Sequence, residues 1–436
     1  MREAAAWSIN RNRQNRRMLD LFPDSARVDG GALEIGGARV VELAERFGTP
    51  LVVYCEATLR GAAREVRAAA PDALVVYGAK AFPNVAVMRL FAAEGLGADV
   101  ASAGELAYAL RAGIDPSLVV VHGNNKSDED LAAAAAAGAT VVLDAPDEAA
   151  RAAEAGVRRV LVRVTLGVEA DTHEAIRTGH HGSKFGLPPA GALAAVADAQ
   201  ARGLDAAGLH IHVGSQLADA TAHLEAIGHL AAFTARCREE IGWLPRVIDL
   251  GGGFGVRHEP AEPAAPLGAI AAEVVSAVRG AWRAWELPDP ALVLEPGRAL
   301  VGRAAVTLYR VGAVKPLDGL TWVAVDGGMS DNPRPQLYGA RYTALLANRA
   351  DDPPAGTYSV AGMHCESGDV LIDDVELPTP RRGDLLAVPA TGAYTLAMAS
   401  NYNGVPRPAV VIVAAGEARL ARRRETVHDL LRLEVG

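Results

Sequence analysis

Val247-Ile248-Asp249-Leu250-Gly251-Gly252-Gly253-Phe254-Gly255 is a short apolar run that stops in a string of glycines. Seven other runs between residues 73 and 295 have the same build. They are Leu74-Val75-Val76-Tyr77, Ala98-Asp99-Val100, Val119-Val120-Val121, Val141-Val142-Leu143, Val160-Leu161-Val162-Arg163-Val164, Leu209-His210-Ile211-His212-Val213 and Leu292-Val293-Leu294. Stretches rich in Ala, Glu and Arg separate them, and these have helical composition. Continuous apolar strands alternating with helices predict a parallel sheet covered on its outside. Eight such units over little more than 200 residues fit a closed (β/α)8, TIM-like barrel better than an open doubly wound sheet.

The C-terminal ends of these runs concentrate the polar and glycine residues. The runs lead into Gly78-Ala79-Lys80, Ser102, His122-Gly123-Asn124, Asp144, Arg163, residues 212–216, the triple glycine, and Glu295-Pro296-Gly297-Arg298. A parallel barrel gathers all these strand ends on one rim, where its active site lies. Residues distant in sequence are therefore expected to converge.

The texture changes after Arg298. Val306-Thr307-Leu308-Tyr309-Arg310-Val311, Thr321-Trp322-Val323-Ala324-Val325, Gly356-Thr357-Tyr358-Ser359-Val360, Asp384-Leu385-Leu386-Ala387-Val388 and Ala409-Val410-Val411-Ile412-Val413 read as strands divided by Gly, Pro and Asp clusters. They predict a second, β domain. Gly31-Ala32-Leu33-Glu34-Ile35 is also strand-like, and Leu430, Leu431 and Leu433 suggest a short terminal helix. The expected division is an N-terminal segment 1–45 packing with the β domain, a barrel over 46–300, and a β domain over 301–436.

Composition bounds the partners. The chain has 436 residues, 50% hydrophobic and 22% charged, with a formal net charge of −9. That is globular composition, long enough for two domains, and its charge disfavours nucleic acid and anionic membranes. Three cysteines make no disulfide framework and fit a cytoplasmic protein. Arg2, Arg11, Arg13, Arg16 and Arg17 are not followed by an apolar run, so no signal peptide is expected, and no run reaches membrane-spanning length.

Individual residues have a chemical reading and a plainer one. Lys80 follows a strand ending in small residues, which suits a lysine that carries an aldehyde; the plainer reading is a solvated loop lysine. The triple glycine exposes backbone N–H groups and allows close approach by a phosphate, to which Ser215 could add a hydroxyl, but it matches neither a P-loop nor a dinucleotide fingerprint. Glu295 could hold a pyridinium nitrogen protonated, and Arg298 suits a carboxylate. Both could equally form a helix-side ion pair. His210 and His212 alternate with Ile211 and Val213 and so point the same way, placing an imidazole to stack on a ring. Metal binding with His173, His180 and His181 is the rival, and no metal is expected because no acidic or Cys ligand lies at suitable spacing. Asp331-Asn332-Pro333-Arg334-Pro335 is a proline-framed loop that limits where Arg334 points. His364-Cys365-Glu366-Ser367-Gly368-Asp369 sets one of the three cysteines among polar and acidic groups beside a turn.

Taken in order, these motifs resemble the diaminopimelate decarboxylases of the fold-type III pyridoxal-phosphate family, from about residue 30 to the end of the chain. The family's Tyr-Ala-x-Lys appears as Tyr77-Gly78-Ala79-Lys80, its His-x-Gly-Ser-Gln as His212-Val213-Gly214-Ser215-Gln216, and its Cys-Glu-Ser-Gly-Asp at residues 365–369. The resemblance implies pyridoxal 5'-phosphate held on Lys80, His212 over its ring, Glu295 at its nitrogen, and Ser215, Gly251, Gly252, Gly253 and Gly297 near its phosphate. It places Tyr394 at the phosphate and the substrate, and Asp99 and Arg163 as pocket residues orienting the histidine or lysine. It assigns Arg298, Arg334, Tyr338 and Glu366 to the substrate and Cys365 to protonation of the α-carbon. Residues 183–186 match a mobile loop near the site. His364 departs from the family pattern and is expected to alter the ionisation of Cys365. The implied activity is decarboxylation of meso-2,6-diaminoheptanedioate to L-lysine in a homodimer with shared active sites. Ornithine, arginine or carboxynorspermidine decarboxylation is the alternative within the fold, and a non-catalytic cofactor-binding regulator is the alternative outside it.

Overall fold

The computed structural model describes residues 18–167 and 183–435. Two compact units divide them: 60–255 with 264–300, and 18–59 with 256–263 and 301–435. The strand Leu51–Cys55 thus lies in the second unit, whereas the boundary expected at residue 46 assigned it to the barrel. It pairs antiparallel with Ala305–Leu317 and parallel with Ala409–Ala414. A fully apolar run fits a central strand of either sheet, so its pattern alone does not choose between them.

The first unit is a closed barrel of eight parallel strands, and they are the eight read from the sequence. They are Ala73–Gly78, Gly97–Val100, Val119–Val121, Thr140–Leu143, Arg159–Arg163, Asp205–His210, Val247–Asp249 and Ala291–Leu294. Val76, Val120, Val142, Leu161, Ala207, Val247 and Val293 form a buried cluster in this unit, the apolar filling that makes such a barrel a core and not a pore. Side chains cap the three helices that follow the first three barrel strands. Asn84 Oδ1 accepts from Ala86 N at 3.0 Å, and Ser102 Oγ from Glu105 N at 3.2 Å. Ser127 and Asp130 form a reciprocal capping box.

Lys126 and Glu148 form a buried ion pair, 2.9 Å apart, behind this rim. Lys126 Nζ also donates to Gly123 O and Val142 O, each at 2.7 Å. Burial pushes the ammonium below its usual range, and Glu148 partly restores it. Lys126→Met should lower the unfolding free energy by roughly 3–5 kcal/mol, because it strands a buried carboxylate. Adding Glu148→Leu should recover much of the loss in a denaturant titration. A single variant as stable as the parent would show that Glu148 is otherwise satisfied.

The second unit is built from both ends of the chain. Its central strand, Ala305–Leu317, pairs with Leu51–Cys55, Leu320–Val325 and Leu385–Pro389. Val370–Leu377 and Gly356–Ala361 continue one side, Ala409–Ala414 and Glu417–Arg422 the other. Residues 27–39 form a separate three-stranded sheet. Its Leu33 and Ile35 share a buried cluster with Leu51, Val53, Val306, Leu308 and Val411. A second cluster joins Tyr309, Val323, Val360, Leu371 and Val388. The terminal helix is Val427–Leu431.

Candidate active site

The barrel strands bring the predicted rim residues together. Leu294 pairs with Val75 and Gly78 with Asp99, so the turns carrying Lys80, Asp99 and Glu295 are neighbours. Lys80 Nζ pairs with the buried Asp99 carboxylate. A Cβ on Gly78 would lie 3.3 Å from Gly297 Cα and 3.4 Å from Asp99 Oδ2. Glycine in the family's alanine position therefore relieves a tight contact beside the lysine.

Glu295 is buried and held from two sides. His122 Nε2 lies 2.6 Å from its Oε1, and His210 Nε2 lies 3.4 Å from its Oε2. Burial alone would raise its carboxyl, but the two imidazoles hold it well below the usual range. Asp249 goes the other way: burial and the Glu295 charge push it well above. The environment thus pushes the two neighbouring acids in opposite directions. Burial drives His210 down to about 3 despite the adjacent Glu295.

His122 and Asp249 carry no role in the sequence reading. Each has a signal there: His122 is the first residue after a strand, and Asp249 is a lone acid inside an apolar one. Ligating atoms of His122, His210, Asp249 and Glu295 lie within 4.8 Å of one another. The 2.6 Å His122–Glu295 contact within this group has hydrogen-bond length. His173, His180 and His181, the other residues of the metal alternative, lie outside the described residues.

The alternation expected for His210 and His212 meets the end of its strand at His210. His212 sits in the next loop, where its Nδ1 accepts from Gly252 N at 3.2 Å. Burial and the charges of Arg163 and Lys80 hold its imidazole well below the ordinary value. Gly251 N donates to Asp249 Oδ1 at 2.9 Å. Gly251 and Gly253 adopt φ of 66° and 96°. A Cβ at 251, 252 or 253 would come within 2.6, 2.3 and 2.7 Å of the backbone oxygens of Ile211, Glu295 and Gly214. The glycines are needed first so that this turn can pass against its neighbours.

Arg163 is buried, with Nη1 3.6 Å from Asp144 Oδ2 and its guanidinium carbon 4.6 Å from the Phe185 ring centre. Phe185 belongs to residues 183–186, the segment expected to be mobile. Here Thr165 Oγ1 donates to Phe185 O and Gly186 N to Asp144 Oδ1, both at 2.8 Å. Arg298 Nη2 donates to Ser215 Oγ at 3.3 Å, joining two of the predicted residues.

In the second unit, Cys365 is exposed and Glu366 beside it is exposed too. Their loop is fixed from below by Asp369, whose buried carboxylate accepts from Met329 N at 2.7 Å and His364 N at 2.9 Å. A Cβ on Gly362 would strike that carboxylate at 2.1 Å, so only glycine leaves room for it. His364 is buried, its Nε2 2.8 Å from Ser330 Oγ and its Nδ1 3.2 Å from Asn403 Oδ1. Cys365 N donates to the same Asn403 oxygen at 3.2 Å. The imidazole expected to tune the thiol thus braces the loop that carries it. Tyr394 has φ 58°, in the left-handed region, within a turn held by Thr395 Oγ1 donating to Thr391 O at 2.5 Å. Arg334 is buried at the start of the helix Arg334–Tyr338, with half-buried Tyr338 at its end.

A rim lysine paired with a carboxylate, beside a second, buried carboxylate, is a donor set suited to chemistry carried on a lysine-bound aldehyde. The family model for the pyridoxal-dependent decarboxylases, pyridoxal binding domain, matches residues 56–302. Diaminopimelate decarboxylase of Actinosynnema pretiosum subsp. auranticum is 49% identical over 422 residues, 95% of each chain. That of Bacillus subtilis (strain 168) is 41% identical over 95% of this chain and 98% of its own. The crystal structure of diaminopimelate decarboxylase from M. jannaschii in co-complex with L-lysine superposes with a TM-score of 0.88 at 31% identity, covering 95% of this chain and 98% of that one. The chain belongs to the diaminopimelate decarboxylase family of pyridoxal-dependent enzymes. The donor set fits that cofactor: a lysine for the aldehyde, an anionic carboxylate for the ring nitrogen, and a glycine turn beside a serine hydroxyl.

Proposed function

We infer that the chain decarboxylates meso-2,6-diaminoheptanedioate to L-lysine and CO2, the last step of lysine biosynthesis, with pyridoxal 5'-phosphate as cofactor. The near-full-length identity to diaminopimelate decarboxylases carries this reading. Buried Arg334, which makes no ion pair among the described residues, supports a substrate with a second carboxylate. Incubation with meso-diaminoheptanedioate and the cofactor, followed by chiral detection, should yield L-lysine. Turnover of ornithine or arginine in its place would overturn the assignment.

The cofactor supplies the electron sink that lets an α-carboxylate leave as CO2. The chain's residues do the rest. Lys80 would hold the cofactor's aldehyde, the group that a substrate amine must engage. Asp99 accepts from the lysine, and Glu295, held low by His122 and His210, would face the ring nitrogen. His212 would cover the ring, with Arg163 orienting the histidine or lysine; Ser215, residues 251–253, Gly297 and Tyr394 would hold the phosphate. Arg298, Arg334, Tyr338, Tyr394 and Glu366 hold the substrate. The D centre reacts, and the L centre, with its amine and carboxylate, is retained in the product. Cys365 would deliver a proton to the α-carbon in the place the CO2 has left. The working unit is a homodimer whose exposed Cys365 loop completes the neighbour's site. The barrel unit is the cofactor domain, and the β unit brings substrate contacts and the cysteine. Among the described residues no helix is long and apolar enough to cross a membrane, and a cytoplasmic place fits the reduced cysteines.

Arg334→Ala should cut kcat/KM for meso-diaminoheptanedioate by about 30-fold to several thousand-fold. That corresponds to the roughly 2–5 kcal/mol typical when one partner of a desolvated charged pair is removed. Cofactor binding, tracked by absorbance, should be unaffected. An unchanged kcat/KM would remove Arg334 from the substrate pocket.

A further inference from the structure

We propose that His258 and Tyr342 are positioning residues that aim Arg334 at the carboxylate the substrate keeps. The proposal rests on the reading of Arg334 given above. Arg334 Nη1 donates to Tyr342 Oη at 2.6 Å and to His258 Nε2 at 2.9 Å. The three side chains come from separate places in the same unit: a loop at 256–263, the start of a short helix, and the segment after it. The His258 ring stands edge-on to Tyr342, with centres 5.2 Å apart and an interplanar angle of 88°. His258 N in turn donates to Glu262 Oε2 at 2.6 Å, which fixes the loop under the imidazole.

Both partners of Nη1 are neutral acceptors. A buried cation needs an anion, and Arg334 has none among the described residues. Its Nε is also buried with no hydrogen-bond partner. A guanidinium is planar and rigid, so fixing one terminal nitrogen through two acceptors fixes the direction of the opposite edge. That edge is the one suited to a carboxylate. His258 accepts through Nε2 only as the neutral ring with its proton on Nδ1, the nitrogen that faces Glu262 Oε2 at 3.9 Å. His258 and Tyr342 thus act through Arg334 and need not touch the substrate.

The test separates aiming from mere folding by using two ligands. L-lysine keeps the distal carboxylate; cadaverine, the corresponding diamine, has none. Their inhibition constants would be measured on the holoenzyme of Tyr342→Phe, His258→Ala, His258→Gln and Arg334→Ala. Tyr342→Phe and His258→Ala should each weaken L-lysine about tenfold or more, the usual scale for a hydrogen bond to a charged group. They should raise KM for meso-diaminoheptanedioate in step, change kcat less, and leave cadaverine within about twofold. His258→Gln, whose amide oxygen can accept in place of Nε2, should recover most of the L-lysine affinity. Equal weakening of both ligands, or no weakening of L-lysine, overturns the proposal. Should His258→Ala fail to fold, Tyr342→Phe, which removes one oxygen, decides alone. If Arg334→Ala also leaves the L-lysine to cadaverine ratio unchanged, the reading of Arg334 falls first. If only Arg334→Ala collapses that ratio, the positioning role falls by itself.

Discussion

Lys80→Ala should give a folded protein that no longer holds its cofactor covalently and has lost activity by on the order of 10⁴-fold. The size reflects the double duty of the side chain. In the proposed reading it both holds the aldehyde and can act as a base, a role worth roughly 10²–10⁴ in rate by itself. The geometry agrees, since Lys80 pairs with the buried Asp99 at the end of its strand. Two other lysines in this unit are poor candidates. Lys126 is buried and fully engaged by Glu148 and two carbonyls, and Lys184 lies 4.9 Å from the Phe185 ring centre. Borohydride reduction of the parent protein and then peptide mapping should put the label on Lys80. Label on Lys126 or Lys184, or a Lys80→Ala protein that stays yellow and active, would sink the assignment.

The second large effect belongs to Cys365. Cys365→Ala should lower turnover by roughly 10²–10⁴-fold, the range for loss of a positioned proton donor. Its thiol is exposed on the chain as it stands, on a loop braced by Asp369, His364 and Asn403. A braced loop presenting an exposed thiol is what a site completed by a second copy requires. If Lys80→Ala and Cys365→Ala chains are unfolded together and refolded in equal amounts, half of the dimers should be mixed. Each mixed dimer then has one intact site and one doubly defective site, so about a quarter of the parent activity should return. No recovery, with mass spectrometry confirming mixed dimers, would place each site within one chain.

Much of this was legible in the sequence, for reasons that differ by element. The eight barrel strands stood out because a strand buried on both faces must be apolar throughout, and each stops where the chain must turn. Lys80 and Glu295 could be placed because strand ends share one rim, whereas Asp99 was legible only through the family resemblance. Leu51–Cys55 carries the same apolar signal but completes a sheet whose other members come after residue 300. Nothing in five apolar residues says which sheet they enter. His122 and Asp249 were readable in principle, as a rim residue and as an acid that a dry strand must neutralise. His258 was not. It lies in a short segment after the glycine turn, and only the tertiary fold brings it to Arg334 and Tyr342.

The place of Leu51–Cys55 has a consequence for the growing chain on the ribosome. The strand lies between Ala305–Leu317 and Ala409–Ala414, so its last neighbour is synthesised more than 350 residues after it. At about 5–20 residues per second, that leaves it without one edge for roughly 20–70 seconds. The barrel strands, all made by Leu294, can close meanwhile, while a sticky five-residue segment waits at their N-terminal side. An apolar segment left waiting in this way is a point where nascent chains can associate with one another before the sheet is complete.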